Sequence, residues 1–121
     1  MGQPKTISID GVDYVRKDEV MPEVNKDNAV IVRCERAGVF FGYLHKDDTA
    51  NGIVELKQAR RLWYWSGAAS LSQMAVDGTS KPNECKFPVA VPHIKVCGVL
   101  EIIPCTDKAV SSINSVAVWK E

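Results

Sequence analysis

The sequence predicts a mainly β (α+β) protein: a compact bent antiparallel sheet or small barrel, two short helices and an N-terminal β-hairpin. Three observations lead there. Between residues 28 and 65, short runs of β-branched and aromatic residues alternate with Gly and Asn-Gly turns. Residues 94–103 are nearly all apolar, as expected of a strand buried on both faces. Only two stretches, 68–76 and 107–113, carry helical spacing.

The elements follow in chain order. Thr6-Ile7-Ser8-Ile9 and Val12-Asp13-Tyr14-Val15 flank Asp10-Gly11, a two-residue hairpin signal over residues 5–16. Residues 17–26 are polar with Pro22 in the middle and read as a linker. This divides the chain into a hairpin and linker, residues 1–27, and a β-rich ligand-binding domain, residues 28–121. Residues 29–36 form a first strand of that domain, Ala37-Gly38 turns the chain, and residues 39–45 form a second. Gly42 inside it implies a bend, a bulge or close backbone approach. The polar turn 46–52 ends in Asn51-Gly52. Residues 53–56 are a third strand and 62–65 a fourth, separated by Lys57-Gln58-Ala59. Leu71, Met74 and Ala75 recur at helical spacing within 68–76, and Gly78 is a stop signal. Residues 87–91 carry Pro88, with Pro92 following, and read as an edge strand. Residues 94–103 read as a central strand ended by Pro104. Thr106 is an N-cap for a helix over 107–113, with Asp107 in its first turn. Residues 116–119 close the chain as an extended piece.

Composition narrows the function classes. The chain has 121 residues, 45% apolar and 25% charged, which suits one domain with a small appendage. Fifteen basic and fifteen acidic side chains cancel, so no global field recruits nucleic acid and DNA is not an expected partner. No export signal and no membrane-spanning run is visible, so a cytoplasmic location is expected. Cys34, Cys85, Cys97 and Cys105 match no zinc or redox spacing and are expected as buried, reduced thiols. His45 and His93 lie far apart without familiar ligand spacing, so no metal site is expected. No nucleophile elbow, Walker motif or nucleophile–base pair is visible, and enzymatic chemistry is not expected.

Binding is the stronger case. Arg60-Arg61-Leu62-Trp63-Tyr64-Trp65-Ser66-Gly67 holds two of the three tryptophans beside adjacent arginines. Arg and Trp together suit planar, anionic ligands. Strand alternation sets Arg61, Trp63 and Trp65 on one face, and Arg60, Leu62 and Tyr64 on the other. One face must be core. Either choice leaves one Arg and one aromatic facing outward, and the face expected outward is Arg61 with Trp63 and Trp65. Against this stands burial of the tryptophans, with arginine stems covering apolar surface. Pro104-Cys105-Thr106 opens a helix N-terminus that could hold an anion, with Lys108 in the first turn. Ser70 and Ser72 are further hydrogen-bond candidates, or caps and surface residues.

Residues 33–42, the stretch Ala59 through Ser72 and Leu100-Glu101-Ile102-Ile103-Pro104-Cys105-Thr106 together resemble a family of small phage-encoded proteins. That family includes the first type of Thoeris anti-defence protein, and the resemblance covers roughly residues 28–118. The resemblance implies a non-enzymatic sponge without cofactors. It binds cyclic ADP-ribose isomers, small cyclic nucleotides made by bacterial TIR enzymes, in the host cytosol. Members form homo-oligomers, hexamers among them. By motif, Arg60, Arg61, Trp63 and Trp65 carry over as ligand-pocket residues, with Thr106 and Lys108 on the phosphate side. Ser111 and Ser112 stand where further cations would be expected, which weakens the phosphate assignment. The N-terminal hairpin lies outside the resemblance. Two other readings compete: an Sm-like small barrel that binds RNA, and a phage structural or interaction module that buries its aromatics against a partner.

Overall fold

The computed structural model describes residues 26–120. The hairpin expected at 5–16 and nearly all of its linker lie outside the described residues. Five strands, β1 (Ala29–Cys34), β2 (Val39–Asp48), β3 (Ile53–Arg61), β4 (Val91–Cys97) and β5 (Val99–Pro104), form one sheet. Every pairing is antiparallel, and the order is β4-β3-β2-β1-β5. Among the described residues, two α-helices, α1 (Leu71–Asp77) and α2 (Asp107–Ser115), complete a mainly β fold. The sheet is strongly bent without closing into a barrel, since β4 and β5 do not pair.

The bend originates at Gly42. A Cβ there would stand 3.1 Å from Leu56 Cβ and 3.3 Å from Ala59 Cα, tighter than side chains ordinarily pack, so a larger residue would push β2 and β3 apart by a few tenths of an ångström. The β2–β3 register shifts twice in this region, between Phe41 and Tyr43 and between Leu44 and Lys46. Such bulges increase twist and bend the strand that carries them. The far half of the β2–β3 hairpin therefore folds back over the sheet. Backbone bonds show where it arrives: Glu35 N donates to Gly98 O at 2.8 Å, and Val99 N donates to Gly52 O at 3.0 Å. The β2–β3 turn at Gly52 thus reaches Gly98, and so does the segment that follows β1.

Two cores result, one on each face. Val30, Val32, Cys34, Phe40, Val54, Leu56, Ala59 and Val96 fill the inside of the bend. Ile31, Phe41 and Tyr43 on the other face pack against Leu62, Met74, Ala75, Phe87 and Ile113. Consecutive Phe40 and Phe41 therefore enter different cores, as strand alternation requires.

Three expectations are corrected. The strands expected at 53–56 and 62–65 are one strand, β3, which ends at Arg61; beyond it Tyr64 makes only an isolated bridge to Lys86. Lys57-Gln58-Ala59 looked like a break but is a bulge, with Gln58 at φ 49° and the register shifted around it. The single central strand expected at 94–103 is two edge strands. Gly98, at φ 72°, turns the chain from one edge of the sheet to the other in a single residue. The folded-back hairpin makes so short a crossing feasible, because it brings the two edges together. Pro92 sits in edge strand β4, where its missing N–H costs no ladder bond. The edge strand expected at 87–91 begins only at Val91, while Phe87 makes a bridge to Val118.

The helices are capped by the residues that flank them. Ser70 Oγ accepts from Gln73 N at 3.1 Å, and Thr106 Oγ1 accepts from Ala109 N at 3.1 Å. Thr106 also donates through its hydroxyl to Val76 O at 2.5 Å, tying the start of α2 to the end of α1. Gly78 ends α1 at φ 75°, ψ −151°, a conformation nearly restricted to glycine. A Cβ there would fall 2.2 Å from Ser112 Cβ on α2. Gly78→Ala is therefore expected to cost about 3 kcal/mol through backbone strain and overlap together. Urea unfolding checks this as a lowered midpoint at unchanged slope.

Candidate functional site

Strand alternation at the end of β3 sends adjacent arginines to opposite faces. Arg60 lies opposite Phe41 and enters the helix-side core, 6% exposed. Its guanidinium donates to Phe87 O at 2.7 Å, Pro88 O and Ile113 O at 3.1 Å, and Ala117 O at 3.4 Å. The acceptors belong to the chain around Phe87 and to the C-terminal end of α2, where carbonyls carry the negative end of the helix dipole. Burial holds its pKa below the ordinary arginine value. Arg60, assigned to the ligand pocket by motif, is thus a buried clamp between sheet, loop and helix.

Arg61 lies opposite Phe40 and is exposed. Its guanidinium sits over the Phe40 ring, 4.5 Å from the centroid, and donates through Nη1 to Ala37 O. The remaining donors of its fork stay available to a ligand. Trp63 is 63% exposed, whereas Trp65 is half-buried against the helix-side core. Leu62 between them is buried and Tyr64 is 52% exposed. Beyond the end of β3 at Arg61 the expected alternation does not hold: Arg61 and Trp63 are exposed, but so is Tyr64, and Trp65 packs in part against the helix-side core.

Two neighbouring clefts meet at Arg61. One, of about 380 Å³, is lined by Arg36, Ala37, Gly38, Val39, Arg61, Leu62, Trp63 and Trp65. The other, of about 520 Å³, opens at the mouth of the bend and includes Glu35, Phe40, Lys95 and Cys97. Arg36, Ala37 and Arg61 belong to both, so the ridge between them carries two guanidinium groups. Sequence reasoning missed Arg36, Lys95 and Cys97. The Phe40–Arg61 register would have exposed Arg36, because it sets the end of β3 beside the turn after β1.

Thr106 and Lys108 are not brought to these clefts. The Thr106 hydroxyl is occupied by Ala109 N and Val76 O, and its N–H donates to Ala75 O at 3.0 Å. Lys108 Nζ lies 3.5 Å from Asp77 Oδ1 in an exposed pair. Both residues join α1 to α2. Ser70 is the cap of α1, and Ser72 is exposed.

The thiols divide by environment. Cys34 and Cys85 are buried, Cys105 is half-buried and Cys97 is exposed, which corrects the expectation of four buried thiols. Burial pushes Cys105 up to about 12. Burial also raises Cys34, with neighbouring Cys97 adding to the rise and Arg61 opposing it.

A family model described as a domain of unknown function (DUF6948) matches residues 27–113. No curated protein and no solved structure matches the chain. No helix among the described residues is long and apolar enough to cross a membrane.

The two arginines should separate cleanly in stability. Arg60→Met leaves buried carbonyls without a donor and is expected to cost about 3 kcal/mol. Arg61→Ala loses one exposed hydrogen bond and a cation–π contact, about 1 kcal/mol. Denaturant unfolding of both variants checks the contrast. Thiol labelling tests the cleft itself. Cys97 alone should react rapidly with a disulfide reagent in the native protein, and Cys97→Ser should remove that phase.

Proposed function

We propose that this chain, which belongs to the family described as a domain of unknown function (DUF6948), binds a cyclic ADP-ribose isomer at the ridge around Arg61 and sequesters it uncleaved. One observation carries the reading: Arg36, Arg61, Trp63 and Trp65 line a single cleft. A cyclic ADP-ribose isomer presents a purine ring and a pyrophosphate. Stacking on an exposed tryptophan such as Trp63 is worth about 1–3 kcal/mol. Guanidinium groups bind phosphate oxygens through charge-assisted, bidentate bonds. Arg61 is already oriented by Phe40 and Ala37, so less side-chain entropy is lost on binding.

Sequestration needs enclosure, and an open cleft on a small domain encloses a ligand when a second copy covers it. Trp63, which lines the cleft and is 63% exposed, is the apolar group that such a second copy would cover. The working form in this reading is a homo-oligomer in the cytosol of a bacterial host, acting as an anti-defence protein against TIR signalling. The second reading, an RNA-binding small barrel, draws on the strongly bent five-stranded sheet. Balanced charge opposes it, since RNA binding leans on many cations.

Calorimetry with purified cyclic ADP-ribose isomers is expected to show saturable binding, and denaturation should return ligand of unchanged mass. Arg61→Ala and Trp63→Ala should each weaken binding by about tenfold or more, while Trp63→Ala keeps the parent melting temperature and Arg61→Ala lowers it only by the few degrees that about 1 kcal/mol produces. Absence of heat with every isomer would overturn the proposal. Steeply salt-dependent oligonucleotide binding would replace it with the RNA reading.

A further inference from the structure

The sheet assembles a second polar cluster that the cleft does not use. His45 lies on β2, Glu55 on β3 and His93 on β4, three neighbouring strands. Glu55 and His93 are diagonal neighbours, since Glu55 pairs with Lys95 and Lys57 with His93. Diagonal neighbours stay within reach of long side chains. The bulge between Leu44 and Lys46 places His45 and Lys46 together against Glu55. Leu56 and Val54 turn into the bend, so by alternation Glu55 faces the other side. Three strands thus deliver two imidazoles and a carboxylate, far apart in sequence, to one place.

The donor atoms converge. His93 Nε2 lies 2.9 Å from Glu55 Oε1, and the His45 and His93 rings meet edge-on with centroids 5.6 Å apart. One ligand atom from each of His45, Glu55 and His93 lies within 4.8 Å of the others. Tetrahedral zinc with bonds of about 2.0–2.1 Å needs its ligand atoms about 3.3 Å apart. Exposed His45 and His93 can close that difference by small side-chain rotations. Glu55, with 17% of its side chain exposed, is the more fixed member.

We propose that His45, Glu55 and His93 form a binding site for a first-row divalent transition metal of the zinc type. Two imidazoles with one carboxylate suit zinc better than magnesium or calcium, which prefer all-oxygen shells. Three protein ligands leave a fourth position for water. Lys46 and Lys95 stand opposite Glu55, and Lys57 opposite His93, so the site holds its ion against nearby positive charge. Affinity is therefore expected to be weaker than in a closed structural zinc site. Bound metal would staple β2, β3 and β4 at the folded-back end of the hairpin.

Calorimetric titration of the full chain with Zn²⁺ is expected to show one ion per chain, and the same titration with Mg²⁺ no saturable heat. His45→Ala, His93→Ala and Glu55→Gln should each weaken Zn²⁺ binding by at least about tenfold, given that even an outer partner of a ligand is worth that much. Melting temperatures without metal should stay near the parent for the two exposed histidine variants, which separates ligand loss from unfolding. Cys97→Ser should leave the affinity unchanged. Three results would overturn the site: no saturable Zn²⁺ binding, equal binding by the double histidine variant, or loss of binding in Cys97→Ser alone. The nucleotide reading stands or falls separately, because none of these side chains lines its cleft.

Discussion

The close approach of β2 to β3 at Gly42 is the constraint on which the rest of the structure depends. With no Cβ at Gly42, the hairpin can fold back over its own sheet. That motion gives the inner core a cover without a second sheet or a third helix. It also brings Gly52 and Glu35 to Gly98, so one residue can carry the chain between the two edges. A flat sheet would leave those edges on opposite sides of three strands, four spacings of about 4.8 Å apart. The two edge strands and the cleft at the mouth of the bend are consequences of that single packing choice.

On the other face the decisive interaction is Arg60. A buried guanidinium without a carboxylate partner among the described residues is unusual, because removing its hydration is costly. Here backbone carbonyls replace the water. The acceptors at Phe87, Pro88, Ile113 and Ala117 come from two chain segments that share no strand ladder with β3. Arg60 therefore does for the helix layer what hydrogen-bonded ladders do for the sheet. Its neighbour Arg61 is excluded from that role by alternation alone, and so remains at the surface beside the tryptophans.

What was legible in the sequence had a local cause. Gly42, the Asn51-Gly52 turn, the Thr106 cap and the Gly78 stop each act within a few residues, and each appears where local chemistry puts it. Parity separates Arg60 from Arg61 but fails past the strand end, where Trp63 and Tyr64 are both exposed and Trp65 packs in part against the helix-side core. What was not legible depends on the fold-back. Gly98 in an apolar run looks like a glycine inside a buried strand, and only the proximity of two edges makes it a corner. Gln58 looks like a break because a bulge and a turn use the same polar residues. Arg36 joins the cleft through the register of β2 with β3, and Thr106 and Lys108 leave it because they join α1 to α2.

The polar groups of interest gather where the ladder is irregular. In a regular antiparallel sheet, parity assigns each residue to one face, and neighbours in sequence never share one. A bulge breaks that assignment and re-aims a side chain. The shift between Leu44 and Lys46 brings His45 to Glu55, and the shift between Arg33 and Cys34 ends β1 just before Glu35 and Arg36 enter the cleft. Gln58, at positive φ, sets the phase by which Arg60 goes inward and Arg61 outward. The bulges that bend the sheet are thus the same features that place its charged groups, which couples curvature to binding chemistry in this fold.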